Sequence, residues 1–185
     1  MDTYKEKWTV LEHEVFSLMC ARAGERLSQR EMARMLDVSP TAVANSVREL
    51  KARGLLRIEK TKTINFISFN RDEQRAIELK RVENLKTAYT SGLSDYLHNA
   101  LPGGTIYLFG SFSRGEDVAT SDIDIAVIGR RQKALELGKF GALLNRKINV
   151  NFYDSWGRIG AHFRNNILSG ILLHGRVELE EKSIS

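Results

Sequence analysis

Asp122 and Asp124 stand two residues apart at the start of the apolar run Ile123 to Ile128, and Gly110-Ser111 closes another, Thr105 to Phe109. Side chains alternate along a strand, so carboxylates at i and i+2 leave from one face. Two carboxylates that close repel each other unless a cation stands between them. Hard cations such as Mg²⁺ take oxygen ligands and are held by one or two carboxylates together with substrate phosphates. Glycine lets a backbone approach a ligand closely. Ser111 offers a hydroxyl where a strand gives way to a short helix, whose free N–H groups attract phosphate. The spacing describes a seat for a nucleoside triphosphate with Mg²⁺ or Mn²⁺.

The string from Leu108 to Gly129, LFGSFSRGEDVATSDIDIAVIG, resembles the signature of the DNA polymerase beta-like nucleotidyltransferase superfamily. Its small members read G-S-x-A-R-G-x-A and, a few residues on, S-D-I-D-L. Gly110, Ser111, Arg114, Gly115, Ser121, Asp122 and Asp124 occur in that order and at that spacing. The resemblance implies that Asp122 and Asp124 bind Mg²⁺ and serve catalysis. Ser111 and nearby N–H groups would hold the β- and γ-phosphates, with Gly110, Arg114 and Ser121 completing the nucleotide site. Arg114 suits a structural salt bridge equally well. The reaction implied is transfer of a nucleoside monophosphate to an acceptor hydroxyl or phosphate. Small members often act as antitoxins that modify a toxin, which makes a protein acceptor such as a cognate toxin an expected partner.

The superfamily also uses a third carboxylate, on the strand after the next helix, commonly in a pattern like R-x-V-D-L. This chain reads Arg146-Lys147-Ile148-Asn149-Val150-Asn151-Phe152 there. With Ile148, Val150 and Phe152 inward, Asn149 and Asn151 share the other face, and Asn149 holds the matching position. An amide oxygen ligates a metal, but an amide carries no charge and is no base. Asp154 falls on the wrong face and reads as the N-cap of a helix beginning near Ser155. Two functions stay open: a Mg²⁺-dependent nucleotidyltransferase, or a non-catalytic regulator whose degenerate transferase domain senses a nucleotide or dimerises.

These residues need elements to position them. Trp8, Leu11, Val15 and Leu18 mark a helix over 7–22. Ser28 and Glu31 form a capping box for a second helix over 28–37, and Ser39-Pro40 starts a third that Gly54 stops. Strands at 55–59 and 64–69 follow, joined at 60–63. The pattern makes a winged helix-turn-helix, and LSQREMARMLDVSPTAVANSVRELKARGLLRIEK resembles the transcription-regulator version. With Val43, Val47 and Leu50 inside, Thr41, Asn45 and Arg48 face out from the end of the helix that enters a major groove. Arg48 suits guanine and Asn45 adenine, while Lys51, Lys60 and Lys62 suit phosphates of double-stranded DNA. Use of the same fold as a protein-protein module is the alternative. The habit of winged helices to bind paired half-sites predicts a homodimer.

A helical pattern over 72–99, with Val82, Leu85, Tyr89, Leu93 and Tyr96 at steps of three and four, ends at Pro102-Gly103-Gly104. Beyond it we expect a strand (105–110), a loop or short helix (111–121), a strand (122–128), a helix (132–145), a strand (147–153), a helix (155–168) and a segment at 171–179. The polar tail after Glu178 is expected to fray. The fold class is α/β (α+β): a winged helix-turn-helix at 1–70, a connecting helix and turn at 71–104, and a nucleotidyltransferase-fold domain at 105–185 with a mixed sheet flanked by helices.

Composition sets the outer limits. The 185 residues are 42% apolar and 28% charged, enough for real cores. Residues 22–62 hold ten Lys/Arg against five Asp/Glu, an excess of five that equals the net charge of the whole chain, +5. A basic module of this kind suits a polyanion. Cys20 is the single cysteine, so no internal disulfide or cysteine-rich zinc site forms. No apolar run approaches a membrane span, and no signal-peptide pattern opens the chain, so a cytoplasmic protein without membrane contact is expected.

Overall fold

The structure, a computed structural model, describes residues 7–177. The N-terminal start and the polar tail after Glu178 lie outside the described residues. The chain forms two compact units: one runs up to Asn84 and takes in Gly115–Ala119, and the other comprises Leu85–Arg114 and the chain from Thr120 on.

In the first unit, helix α1 (Val10–Ala21) is followed by α2 (Gln29–Leu36) and α3 (Pro40–Ala52). Each helix start is fixed by its own sequence. The Thr9 hydroxyl accepts from the Glu12 N–H and the Glu12 carboxylate accepts from the Thr9 N–H. Ser28 and Glu31 repeat the device on α2, and the Ser39 hydroxyl accepts from the Ala42 N–H on α3. Each such cap stabilises by about 1 kcal/mol. Strands β2 (Leu56–Lys60) and β3 (Asn65–Phe69) form the wing hairpin. A short β1 (Leu27–Ser28) pairs antiparallel with β3, Leu27 opposite Ile67, giving the order β1-β3-β2. Two residues carry too little pattern for β1 to be read from sequence. Val15, Met19, Met32, Val43, Val47, Leu50 and Ile67 fill the core, each completely buried.

Helix α4 (Gln74–Thr90) departs from the sequence reading. Val82 and Tyr89, expected on its apolar face, are 63% and 44% exposed, while Ala76, Lys80, Glu83, Asn84 and Ala88 are buried. The inward face of its first half is polar and paired. Lys80 makes an ion pair with Asp117 in which both side chains are fully buried, and Asn84 Nδ2 donates to the same Asp117 at 2.7 Å. Ser17 Oγ donates to Glu83 at 2.7 Å. The single helix expected over 72–99 also breaks, because Gly92 at φ +77° ends α4 and starts α5 (Leu93–Ala100).

The second unit is a four-stranded sheet of order β6-β5-β4-β7, with β4 (Thr105–Phe109), β5 (Ile123–Ile128), β6 (Ile148–Tyr153) and β7 (Ile171–His174). β5 and β6 are parallel; β4 pairs antiparallel with β5 and β7. One face packs Ile106, Leu108, Ile123, Ile125 and Val127 against Leu93, Leu97, Phe112 and Phe140. The other packs Tyr107, Phe109, Ala126 and Ile128 against Ile159 and Ile167. Both faces being covered, β5 reads as a continuous apolar run after Asp124. The expected helix at 132–145 is only α7 (Gly138–Leu144), and that at 155–168 divides into a 3₁₀ turn (Trp156–Arg158) and α8 (Ala161–Leu168). Asp154 is therefore no N-cap: Ser155 precedes the 3₁₀ turn, Gly160 precedes α8, and neither helix start has a side-chain cap.

Candidate functional site

Strand register assembles the site. Phe109, the last residue of β4, lies opposite Asp124 on β5, and the parallel β5–β6 pair sets Asp124 beside Asn149. Because Ile123 and Ile125 point into one core with Ile148 and Val150, the intervening Asp122, Asp124 and Asn149 leave from the opposite face. All three are half-buried. Asn149 Nδ2 donates to Asp122 Oδ2 at 2.9 Å and to Asp124 Oδ1 at 3.2 Å. Ionised carboxylates only accept, so the amide must turn its NH₂ group toward them. Lys147 Nζ stands 3.9 Å from Asp122 Oδ2 at an exposed position. Sequence reasoning passed over Lys147, although period two along β6 puts it on the face of Asn149.

Gly110 makes the turn from β4 into the short helix α6 (Gly110–Arg114) at φ +75°. A Cβ on Gly110 would lie 2.6 Å from Asp124 Oδ2. This glycine thus seats the Asp124 carboxylate against the backbone, in addition to any approach by a ligand. Ser111 opens α6 half-buried, and Ser113 Oγ donates to the Gly110 carbonyl at 2.9 Å. Arg114 donates to Asn166 Oδ1 on α8 at 3.1 Å. The Ser121 carbonyl accepts from Arg146 at 3.0 Å, and the buried Arg146 guanidinium also lies 5.7 Å from the centre of the Phe112 ring. Arg146 therefore ties α6 to the residue preceding Asp122. Its sequence signal is its place at the head of the run that resembles R-x-V-D-L.

The oxygen set of Asp122 and Asp124 fits a divalent cation, whereas Asn149 as placed presents N–H to the pair. Among the described residues no group of three or more His, Cys, Asp or Glu gathers as a metal cluster.

The second candidate surface lies in the first unit. Thr41, Asn45, Arg48 and Lys51 are exposed on α3, away from buried Val43, Val47 and Leu50. Lys60 ends β2 and Lys62 sits in the wing turn, where Thr61 Oγ1 donates to the Ile64 carbonyl and accepts from its N–H. Other cations of this basic stretch are engaged: Arg22 pairs with Glu25, Arg26 with Glu59, Arg53 with Glu12 and Arg57 with Asp72. The excess of five charges thus overstates the cation density offered to a partner, and its outward part lies on α2 (Arg30, Arg34), α3 (Arg48, Lys51) and the wing (Lys60, Lys62).

No helix among the described residues is long and apolar enough to cross a membrane. Residues 9–63 match the MarR family, and residues 93–178 match the family Polymerase beta, Nucleotidyltransferase. No curated protein matches the chain. Similar solved structures include the adhesin competence repressor of Streptococcus pyogenes, 16% identical over 54% of this chain and 72% of that one, with a TM-score of 0.40. A ZitR mutant of Lactococcus lactis in complex with DNA is 15% identical over 55% and 67%, with a TM-score of 0.40. Lactococcus lactis ZitR itself, described as a zinc-responsive MarR family member, is 19% identical over 51% and 67%, with a TM-score of 0.37. The chain thus carries an N-terminal winged helix-turn-helix domain, matched by the MarR family, followed by a C-terminal nucleotidyltransferase-fold domain, matched by the polymerase beta family.

Proposed function

We propose that this chain is a DNA-binding regulator whose nucleotidyltransferase-fold domain binds a nucleoside triphosphate with Mg²⁺ and is disabled for transfer. The observation that carries the reading is Asn149, which stands beside Asp124 in register and hydrogen-bonds both aspartates as a donor. A third carboxylate there would complete the metal site and take the proton of an attacking hydroxyl; an amide does neither. Loss of a general base costs about 10²–10⁴-fold in rate. Binding requires less. Asp122 and Asp124 would hold Mg²⁺, which when bound neutralises triphosphate charge. Ser111 and the N–H groups of α6 face the position of the phosphates in this reading, and Arg114 and Ser121 border it.

The DNA half rests on α3 and the wing. Arg48 and Asn45 would meet base edges, and Thr41, Lys51, Lys60 and Lys62 would meet the backbone of double-stranded DNA, with a homodimer spanning two half-sites. The intact Gly110-Ser111 and Asp-x-Asp elements favour a second reading, transfer of the nucleotide to an acceptor such as a toxin protein.

One experiment separates the readings. The protein is incubated with labelled NTPs, Mg²⁺ or Mn²⁺ and candidate acceptors. We expect NTP binding that Asp122→Ala abolishes, no label transfer by the wild type, and transfer gained in Asn149→Asp. Label transfer by the wild type that Asp122→Ala removes would establish the enzyme instead.

A further inference from the structure

We infer that the Asn149 amide is an internal substitute for the cation: it neutralises the repulsion of Asp122 and Asp124 and competes with a divalent metal for the same oxygens. The inference rests on the metal–nucleotide reading above and adds to it how the site is regulated. One nitrogen, Asn149 Nδ2, donates to Asp122 Oδ2 at 2.9 Å and to Asp124 Oδ1 at 3.2 Å. Asp122 Oδ2 also faces the Lys147 ammonium at 3.9 Å. Two facing carboxylates need positive charge or donors, and here the chain supplies both, the donor from β6 and the charge from Lys147 just before it. Gly110 holds the Asp124 carboxylate in this posture, since its missing Cβ leaves room for Asp124 Oδ2.

A divalent ion entering this pair must displace the two amide bonds. It would then leave the Asn149 amide turned away from the metal. Hydrogen bonds to charged groups are worth roughly tenfold or more in an equilibrium constant. The amide therefore raises the metal concentration at which the site fills, and the site responds to metal and nucleotide together rather than to metal alone. The opposite role, Asn149 as an oxygen ligand, predicts the opposite sign for its removal.

The test measures Mn²⁺ binding by electron paramagnetic resonance of the free ion, with and without a non-hydrolysable ATP analogue. The full chain is compared with Asn149→Ala and Asn149→Ser. We expect Asn149→Ala to bind Mn²⁺ roughly tenfold more tightly, with Asn149→Ser between it and the wild type because its hydroxyl keeps one donor. Thermal unfolding supplies a readout independent of nucleotide. In metal-free buffer Asn149→Ala should melt lower than the wild type, and saturating Mn²⁺ should close the gap. Weaker Mn²⁺ binding by Asn149→Ala, or a gap that persists in Mn²⁺, overturns the role assigned to Asn149 while leaving the metal–nucleotide reading standing. Absence of Mn²⁺ binding from all three proteins, with and without nucleotide, overturns both.

Discussion

Lys80→Met tests the least expected feature of the first unit. The Lys80 and Asp117 side chains are both fully buried and paired, and Asn84 donates to the same carboxylate. Methionine keeps the volume of the lysine stem and removes only the ammonium. The carboxylate then stays in a low-dielectric site without the Lys80 ammonium, with the Asn84 amide still among its partners. Breaking a buried pair on one side costs about 3–5 kcal/mol, since it leaves an uncompensated charge. For a unit of this size 1 kcal/mol moves the midpoint by about 4–8 °C, so a fall of roughly 12–40 °C is expected. Removing both charges in Lys80→Met/Asp117→Asn should cost far less than the sum of the single changes, a coupling of about 2–4 kcal/mol. Urea unfolding followed by Trp8 fluorescence, in a Trp156→Phe background, reads the first unit. Trp8 packs edge-on against Phe16 in that core, at 5.2 Å between ring centres. A loss below about 1 kcal/mol for Lys80→Met, or strict additivity in the cycle, would refute the claim that the pair is a buried, mutually dependent unit.

Three further predictions follow from the geometry. Gly110→Ala places a Cβ at φ +75° and against Asp124 Oδ2; it should destabilise by about 1–2 kcal/mol for the backbone alone. The same change should weaken Mn²⁺ binding by displacing the carboxylate, measured as a loss of affinity at a temperature where the variant is fully folded. Arg48→Ala should relax operator preference, whereas Lys60→Ala should weaken all DNA about equally and lower the salt slope by about one, as read in binding titrations at several salt concentrations. Tyr107→Phe bears on pH: burial raises the Tyr107 pKa, and its buried hydroxyl has no hydrogen-bond partner. A raised folded pKa means stability that is full below the ordinary tyrosine value near 10 and is lost as pH rises through the folded value. The variant should match or exceed wild-type stability at neutral pH and lose less than the wild type above about pH 10, by denaturation at stepped pH.

The helix starts of the first unit were legible because a cap is a local device: Thr9, Ser28 and Ser39 satisfy N–H groups only three residues on. Thr9, with Glu12 three residues later, carries a signal of the same form as Ser28 with Glu31. The inward face of α4 was misread for a physical reason. Hydropathy assigns Val82 and Tyr89 to a core, but Lys80, Glu83 and Asn84 take the buried positions because Asp117 and Ser17, far off in sequence, supply their partners. The helices expected at 132–145 and 155–168 are shorter in the structure, α7 starting only at Gly138 and α8 only after Gly160.

By itself the sequence determined which residues could carry chemistry. Period two put Asp122 and Asp124 on one strand face and Asn149 on the matching face of another, because alternation is a property of the extended chain and needs no tertiary information. Glycine at 110 was visible in the same way. What those groups do to each other was decided by tertiary structure alone. Parallel pairing of β5 and β6 brings Asn149 level with Asp124, and only that register makes one amide nitrogen the shared donor of two carboxylates. The close approach of Asp124 to Gly110 depends likewise on the antiparallel register of β4 and β5. A strand pattern fixes the direction in which a side chain leaves, whereas the distance between groups on different strands is set by which strands pair and where they start.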